Sequence, residues 1–229
     1  MAALNAETLL SCWEQGRTRH PLDRALLLHA VAAPELEPES LADLPIGQRN
    51  AALLSLRGSL FGDELKSCVD CPQCGEKLEF SLSAGAMSSH SQDIDARELC
   101  VDGVRLRLPT TRDLASLASE VDQETAARRL LDRLCVDGKK VRDESALMRA
   151  LDAADPCLDL AIDLTCPACS HRWSAEFDAP GFLWEEIDVR ARTLLDEIHV
   201  LAATYGWDEA AILRLSDARR QAYLQRVLA

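Results

Sequence analysis

Cys71-Pro72-Gln73-Cys74-Gly75 and Cys166-Pro167-Ala168-Cys169-Ser170 are the segments of this chain best equipped for chemistry. A CPxC turn suits a soft metal because proline fixes the backbone while a small residue after the second cysteine lets amide N–H groups point back at the sulfurs. One such turn carries little weight, whereas a matched pair supplies four thiolates, the donor set of tetrahedral structural zinc. Residues 75–165 separate the turns. Closing that loop costs about 1.3 kcal/mol more than closing one of about 20 residues, against the roughly 10–16 kcal/mol that structural zinc returns. Cys71, Cys74, Cys166 and Cys169 are therefore the expected Zn2+ ligands. Cys68, which forms CxxCxxC with Cys71 and Cys74, is a candidate spare ligand, and His171 is an alternative one.

The elements that must position these turns read as strands. ELKSCVD (64–70) precedes the first turn and EKLEFSLS (76–83) follows it, with Leu78, Phe80 and Leu82 alternating with polar residues. LDLAIDLT (158–165) and HRWSAEFD (171–178) frame the second in the same way, with Trp173, Ala175 and Phe177 alternating. The two hairpins thus read as halves of one zinc ribbon. A redox dithiol is the rival reading, but thioredoxin-like CxxC turns lie where a strand enters a helix, not between strands. Cys12, Cys100, Cys135 and Cys157 sit among apolar residues and are expected to be small buried hydrophobes.

Helices are expected over residues 4–15 and 19–33, the second with Leu22, Ala25, Leu26, Leu28 and His29 on its apolar side. Pro45 opens a third helix, with Leu53, Leu56 and Leu60 in one stripe and Gly62 at its end. Between the ribbon halves, residues 81–95 read as a loop. Glu98–Val101 and Val104–Leu108 read as a hairpin turned by Asp102-Gly103. Two or three short helices follow to Asp155-Pro156, the first capped by Thr110 or Thr111. The tag LCVDG recurs at 99–103 and 134–138 without similarity around it, which is what chance produces. After Pro180-Gly181 the chain reads as helical to its end. Trp184, Ile187, Ala191, Leu194, Ile198, Leu201 and Tyr205 share one face, expected to pack on the chain's own core or on a partner helix.

Composition narrows the function. The 229 residues carry a formal charge of −13, and residues 63–83 hold five acids against two lysines, a surface that repels a phosphate backbone. No basic n-region or long apolar run opens the chain, so a cytoplasmic protein is expected, with neither nucleic acid nor membrane as partner. P-loop, G-x-S-x-G, H-E-x-x-H and dinucleotide patterns are all missing, and zinc closed by four cysteines leaves no open position, so no enzyme is expected. A zinc-ribbon adaptor of a nucleic-acid machine and a zinc-based redox switch are the alternatives.

Read in order, RNAALLSLRGSLFGD (49–63), CPQCGEKLEF (71–80), RLPTTRDLASL (107–117), CPACSHRWSAEFD (166–178), FLWEEI (182–187) and YGWDEAAILRLSDARRQAYLQRV (205–227) resemble the T4-type baseplate hub assembly proteins of contractile phage tails and related injection systems. The resemblance implies a cytoplasmic assembly factor, or chaperone, or else a minor component of the baseplate. It would bind hub or spike proteins, with the paired CPxC turns holding the fold through zinc. Cys68, and Ser170 where the first turn has Gly75, depart from a simple CPxCG pair. The expected architecture is α+β: an N-terminal helical segment (1–62), zinc ribbon halves (63–83 and 157–180) split by an α+β insertion (84–156), and a C-terminal helical segment (181–229). The partner surface is expected on the apolar strip from Trp184 to Tyr205 or on the final LQRVLA.

Overall fold

The computed structural model describes residues 5–88, 98–139 and 141–227. It divides into two compact units, residues 21–181 and a second made of residues 1–20 with 182–229. The first 21–181 elements are helical: α2 (Pro21–Ala32), a single turn α3 (Pro38–Leu41) and α4 (Ile46–Phe61). α1 (Ala6–Gly16) belongs to the other unit. Hairpin β1 (Glu64–Asp70) and β2 (Lys77–Ser83) follows α4 and runs into α5 (Ala84–Ser88), which replaces the start of the expected loop; residues 89–97 of that loop lie outside the described residues. Next come hairpin β3 (Glu98–Val101) and β4 (Val104–Arg107), helices α6 (Thr111–Leu117), α7 (Gln123–Leu134) and α8 (Glu144–Ala154), and hairpin β5 (Ala161–Thr165) and β6 (Arg172–Glu176). Among the described residues the α+β expectation holds as a mixture of helices with three separate two-stranded antiparallel sheets, β1-β2, β3-β4 and β5-β6.

α4 is the spine that fixes where both cysteine hairpins start. At its C-terminus Gly62 takes a φ of 89°, as its place after the apolar stripe predicts. Buried Arg57 donates from Nη1 to the carbonyls of Gly62 (2.6 Å) and Glu64 (2.8 Å), clasping the entry into β1. At its N-terminus the Gly47 N–H donates to Asp155 Oδ2 at 2.9 Å, and Asn50 Nδ2 donates to the Cys157 carbonyl at 2.8 Å. The chain entering the second ribbon half is thereby held to the same helix. Only glycine permits this approach, since a Cβ at position 47 would lie 1.5 Å from Asp155 Oδ1.

The insertion is built around Val101, Val104, Leu106, Leu108, Leu134, Leu147 and Leu151, all buried together. Asp102 (φ 52°) and Gly103 (φ 73°) both take left-handed backbone, the type I′ turn expected of Asp-Gly. Thr110 caps α6 in a reciprocal box with Asp113. The Asp113 carboxylate, 1% exposed, also accepts from Arg107 (2.6 and 2.7 Å) and Arg133 (3.0 Å). The insertion reaches α4 through the Ile46 N–H, which donates to the Pro109 carbonyl at 3.0 Å.

In the second unit, α9 spans Ala179–Tyr205 and is followed by α10 (Glu209–Leu213) and α11 (Asp217–Val227). α9 begins before Pro180-Gly181 rather than after, because proline in a first turn gives up an N–H that has no intrahelical acceptor anyway. Trp184, Ile187, Ala191, Leu194, Ile198 and Leu201 are buried, and only Tyr205 of the seven-residue strip stays exposed, at 37%. The expectation of an exposed apolar strip there is corrected: the chain covers this face itself. In LQRVLA, Leu224 and Val227 are half-buried, and residues 228–229 lie outside the described residues. Trp13 of α1 donates to Asp188 of α9 at 2.7 Å, and buried Arg220 of α11 donates to Glu197 of α9 at 2.9 Å.

Candidate metal centre

Each CPxC turn is the loop of a hairpin, closed by paired Asp70 and Lys77 in the first and paired Thr165 and Arg172 in the second. Their backbones match bond for bond. The Cys71 N–H donates to the Glu76 carbonyl (2.8 Å) and the Gly75 N–H to the Cys71 carbonyl (2.9 Å); the Cys166 N–H donates to the His171 carbonyl (2.9 Å) and the Ser170 N–H to the Cys166 carbonyl (2.9 Å). Gly75 sits at φ 75° and Ser170 at φ 60°, so serine takes the left-handed conformation that the turn demands despite its Cβ.

The four sulfurs of Cys71, Cys74, Cys166 and Cys169 lie within 4.8 Å of one another. The Cys71–Cys169 and Cys74–Cys166 separations are 3.7 and 3.6 Å. A tetrahedron of sulfurs with Zn–S bonds of about 2.3 Å has edges of about 3.8 Å, so the donor set fits zinc in both chemistry and spacing. The same separations far exceed a disulfide bond of about 2.05 Å. The first cysteine of each turn is buried, at 3% and 1% exposure, while Cys74 is exposed and Cys169 half-buried. Leu78 completes a small apolar core with Cys71 and Cys166, and Val69 and Trp173 pack against it.

Burial opposes a thiolate at Cys71, yet the N–H groups of Cys74 and Gln73 turned toward its sulfur bring its pKa down to about 7. Cys74 receives the Glu76 N–H, but the crowded Cys169, Cys166 and Cys71 thiols push it up to about 12. Cys169 receives the His171 N–H in the same register and is also raised. Four thiolates this close repel one another unless a cation stands between them.

Among the described residues, Cys68 and His171 lie outside the sulfur cluster. Cys68 is exposed on β1 opposite Glu79, and the His171 ring stacks on Trp173 at 5.7 Å. Cys12 and Cys157 are buried as expected, with both thiols pushed up to about 11 by burial. Cys100 is exposed, a correction: strand alternation turns Leu99 and Val101 inward and Cys100 out. Cys135 is half-buried where it bridges to Leu106.

Sequence reading missed the buried polar residues that bind the cysteine hairpins and the insertion to α4: Arg49, Asn50 and Arg57 on α4, and Asp155. Arg49-Asn50, charged and polar residues directly before the apolar run of α4, was the available signal.

The sequence model of a family described as T4 bacteriophage base plate protein matches residues 34–182, a stretch that contains both cysteine turns and ends one residue past the 21–181 unit. The segment YGWDEAAILRLSDARRQAYLQRV lies beyond the match. No curated protein and no solved structure matches the chain.

Proposed function

The chain belongs to the T4 bacteriophage base plate protein family, and on that premise we propose that it is a zinc-stabilised, non-enzymatic assembly factor or minor component of a contractile-tail baseplate. The carrying observation is the family match, which covers residues 34–182 and so most of the chain. It supports interaction with other baseplate components, and binding of hub or spike proteins is the finer step of this reading. Four cysteine ligands leave zinc no open coordination position, which supports a scaffold role over catalysis. Among the described residues no helix is long and apolar enough to cross a membrane, in keeping with assembly in the cytoplasm before the tail is complete.

The mechanism is recognition. Zinc ties residues 71–74 to residues 166–169, and surfaces held by that tie receive a tail subunit until its neighbour arrives. The test is affinity capture of the tagged protein from cells producing the whole tail, with bound proteins identified by mass spectrometry. Capture of a hub or spike protein is the expected result. Return of no tail protein would contradict the proposal.

A further inference from the structure

A cavity of about 750 Å3, within the range of ligand pockets, lies wholly inside the 21–181 unit, walled by the start of α4, by α6–α8 and by the base of the β5-β6 hairpin. Leu130, Leu131, Leu147 and Phe177 make its interior apolar, and Met148, 53% exposed, offers an adaptable wall on the solvent side. Charge is unevenly settled around it. The cations of the lining already have partners: Arg128 is bound to Glu124 at 2.7 Å, and buried Arg49 has Asp178 as its counter-charge. That leaves the acids Asp159 and Glu176, both exposed, and neither is in an ion pair among the described residues.

The hairpin register gathers these acids on one face. Ala161 pairs with Glu176 and Asp163 with Ser174, and the Phe177 N–H donates to the Leu160 carbonyl at 2.7 Å, so the same register sets Asp159 opposite Asp178. Side chains of directly opposed residues share a face of the sheet, where like charges destabilise each other and a cation between them relieves the repulsion. Asp159, Asp163, Glu176 and Asp178 therefore line one exposed face that starts at the cavity. Asp163, four residues along the strand from Asp159, lies about 13 Å farther out. A small amine in the cavity would reach only the nearest carboxylates. The chemistry that fits both the apolar interior and the acidic track is a chain segment, apolar at one end and basic beside it.

We infer that the cavity and the acidic hairpin face together dock a peptide segment of another protein, whose apolar side chains enter between Leu131, Leu147 and Met148 while neighbouring Lys or Arg side chains lie against Asp159, Asp163 and Glu176. That the segment comes from a baseplate subunit rests on the proposed function; the peptide chemistry does not.

The test selects binders to the full zinc-loaded chain from a displayed library of random peptides, then measures the affinity of the selected peptide by fluorescence anisotropy. The expected consensus is a short apolar run beside two or more Lys or Arg, with affinity that falls as salt rises. Asp159→Asn combined with Glu176→Gln changes exposed side chains only, and is expected to weaken binding about five- to tenfold at low salt and to flatten the salt dependence. Met148→Gln, which makes the exposed wall polar, is expected to weaken binding at least about threefold at every salt concentration. A consensus without basic residues, or affinity unchanged by both variants, overturns the inference. So does failure to select any peptide, whether or not dodecylammonium binds. Affinity capture separates the two proposals: tail proteins still retained by the variant that has lost the peptide leave the assembly role standing and put this site's partner outside the tail, while a basic consensus with no tail protein captured keeps the site and removes the assembly role.

Discussion

At the scale of single residues, the ligand assignment makes the sharpest prediction. Cys71→Ser or Cys166→Ser removes one of four sulfurs from a cluster within 4.8 Å and is expected to abolish stoichiometric zinc, read by elemental analysis of the purified protein. Cys68→Ser and His171→Ala, which change residues outside the cluster, are expected to keep full metal; loss of metal in Cys68→Ser would reassign the ligand set. His29 carries a pH prediction. It is 2% exposed, and burial, with help from the Arg49 charge and against that of Glu35, lowers its pKa from the ordinary 6.5 to about 4. The unfolded chain therefore binds the proton more readily than the folded one. Stability is unaffected by this group above about pH 6.5 and falls as pH drops toward 4, by about 3 kcal/mol in all. His29→Gln should flatten that part of the pH–stability curve measured by urea unfolding; an unchanged curve would show that His29 is not its source. The clustering of Cys71, Cys74, Cys166 and Cys169 was legible in the sequence because CPxC spacing is a local signal. Arg49, Asn50 and Asp155 were not, because each matters only through partners far away in the chain, as when Asp155 meets Gly47.

At the scale of elements, strand pairing was legible wherever alternation and a turn signal coincided. Glu64–Asp70 was read with the bounds the structure gives it, and Asp102-Gly103 turns its hairpin as expected. The short helix Ala84–Ser88 escaped because its Ser- and Ala-rich sequence has no apolar period; it forms where Asp63 receives the Gly85 N–H at 2.7 Å. The matched cysteine turns give an asymmetric pair of predictions. Ser170→Gly relieves a side chain held at φ 60° and is expected to stabilise the zinc-bound protein by about 0.5–1 kcal/mol, partly offset by the added freedom of the unfolded chain. Gly75→Ala, at φ 75°, is expected to destabilise by about 1 kcal/mol. Denaturant midpoints of the two variants should move in opposite directions; movement in the same direction would mean that the turns are not equivalent. On α4, Gly47→Ala drives a methyl group into Asp155 and is expected to cost about 1–3 kcal/mol. That loss should be accompanied by weaker zinc retention, because the contact sets where the second ribbon half begins.

At the scale of the whole molecule, the 21–181 unit has a closed-loop architecture. The chain leaves α4 at Gly62, makes one cysteine hairpin, builds the insertion, returns to the other end of α4 at Asp155 and makes the second hairpin. Four sulfurs then join the hairpins, whose strands form separate sheets. Removing metal should therefore do more than loosen two turns: a strong chelator is expected to lower the unfolding temperature of the protein, and added zinc to restore it. The long helix α9 gives the counterpoint at this scale. Its spacing correctly marked one apolar face, but periodicity alone could not say whether that face meets the chain's own residues or a partner, and Ile187, Ala191, Leu194 and Leu201 are covered within the chain. Partner surfaces must then be sought elsewhere than on this face. The central claim, that a zinc-closed member of this family works by holding a baseplate subunit, is tested most directly by native mass spectrometry of the protein captured from cells making the complete tail. The account predicts one zinc per chain in a complex with a hub or spike protein. A metal-free chain with its cysteines joined as disulfides, bound to no tail protein, would contradict it.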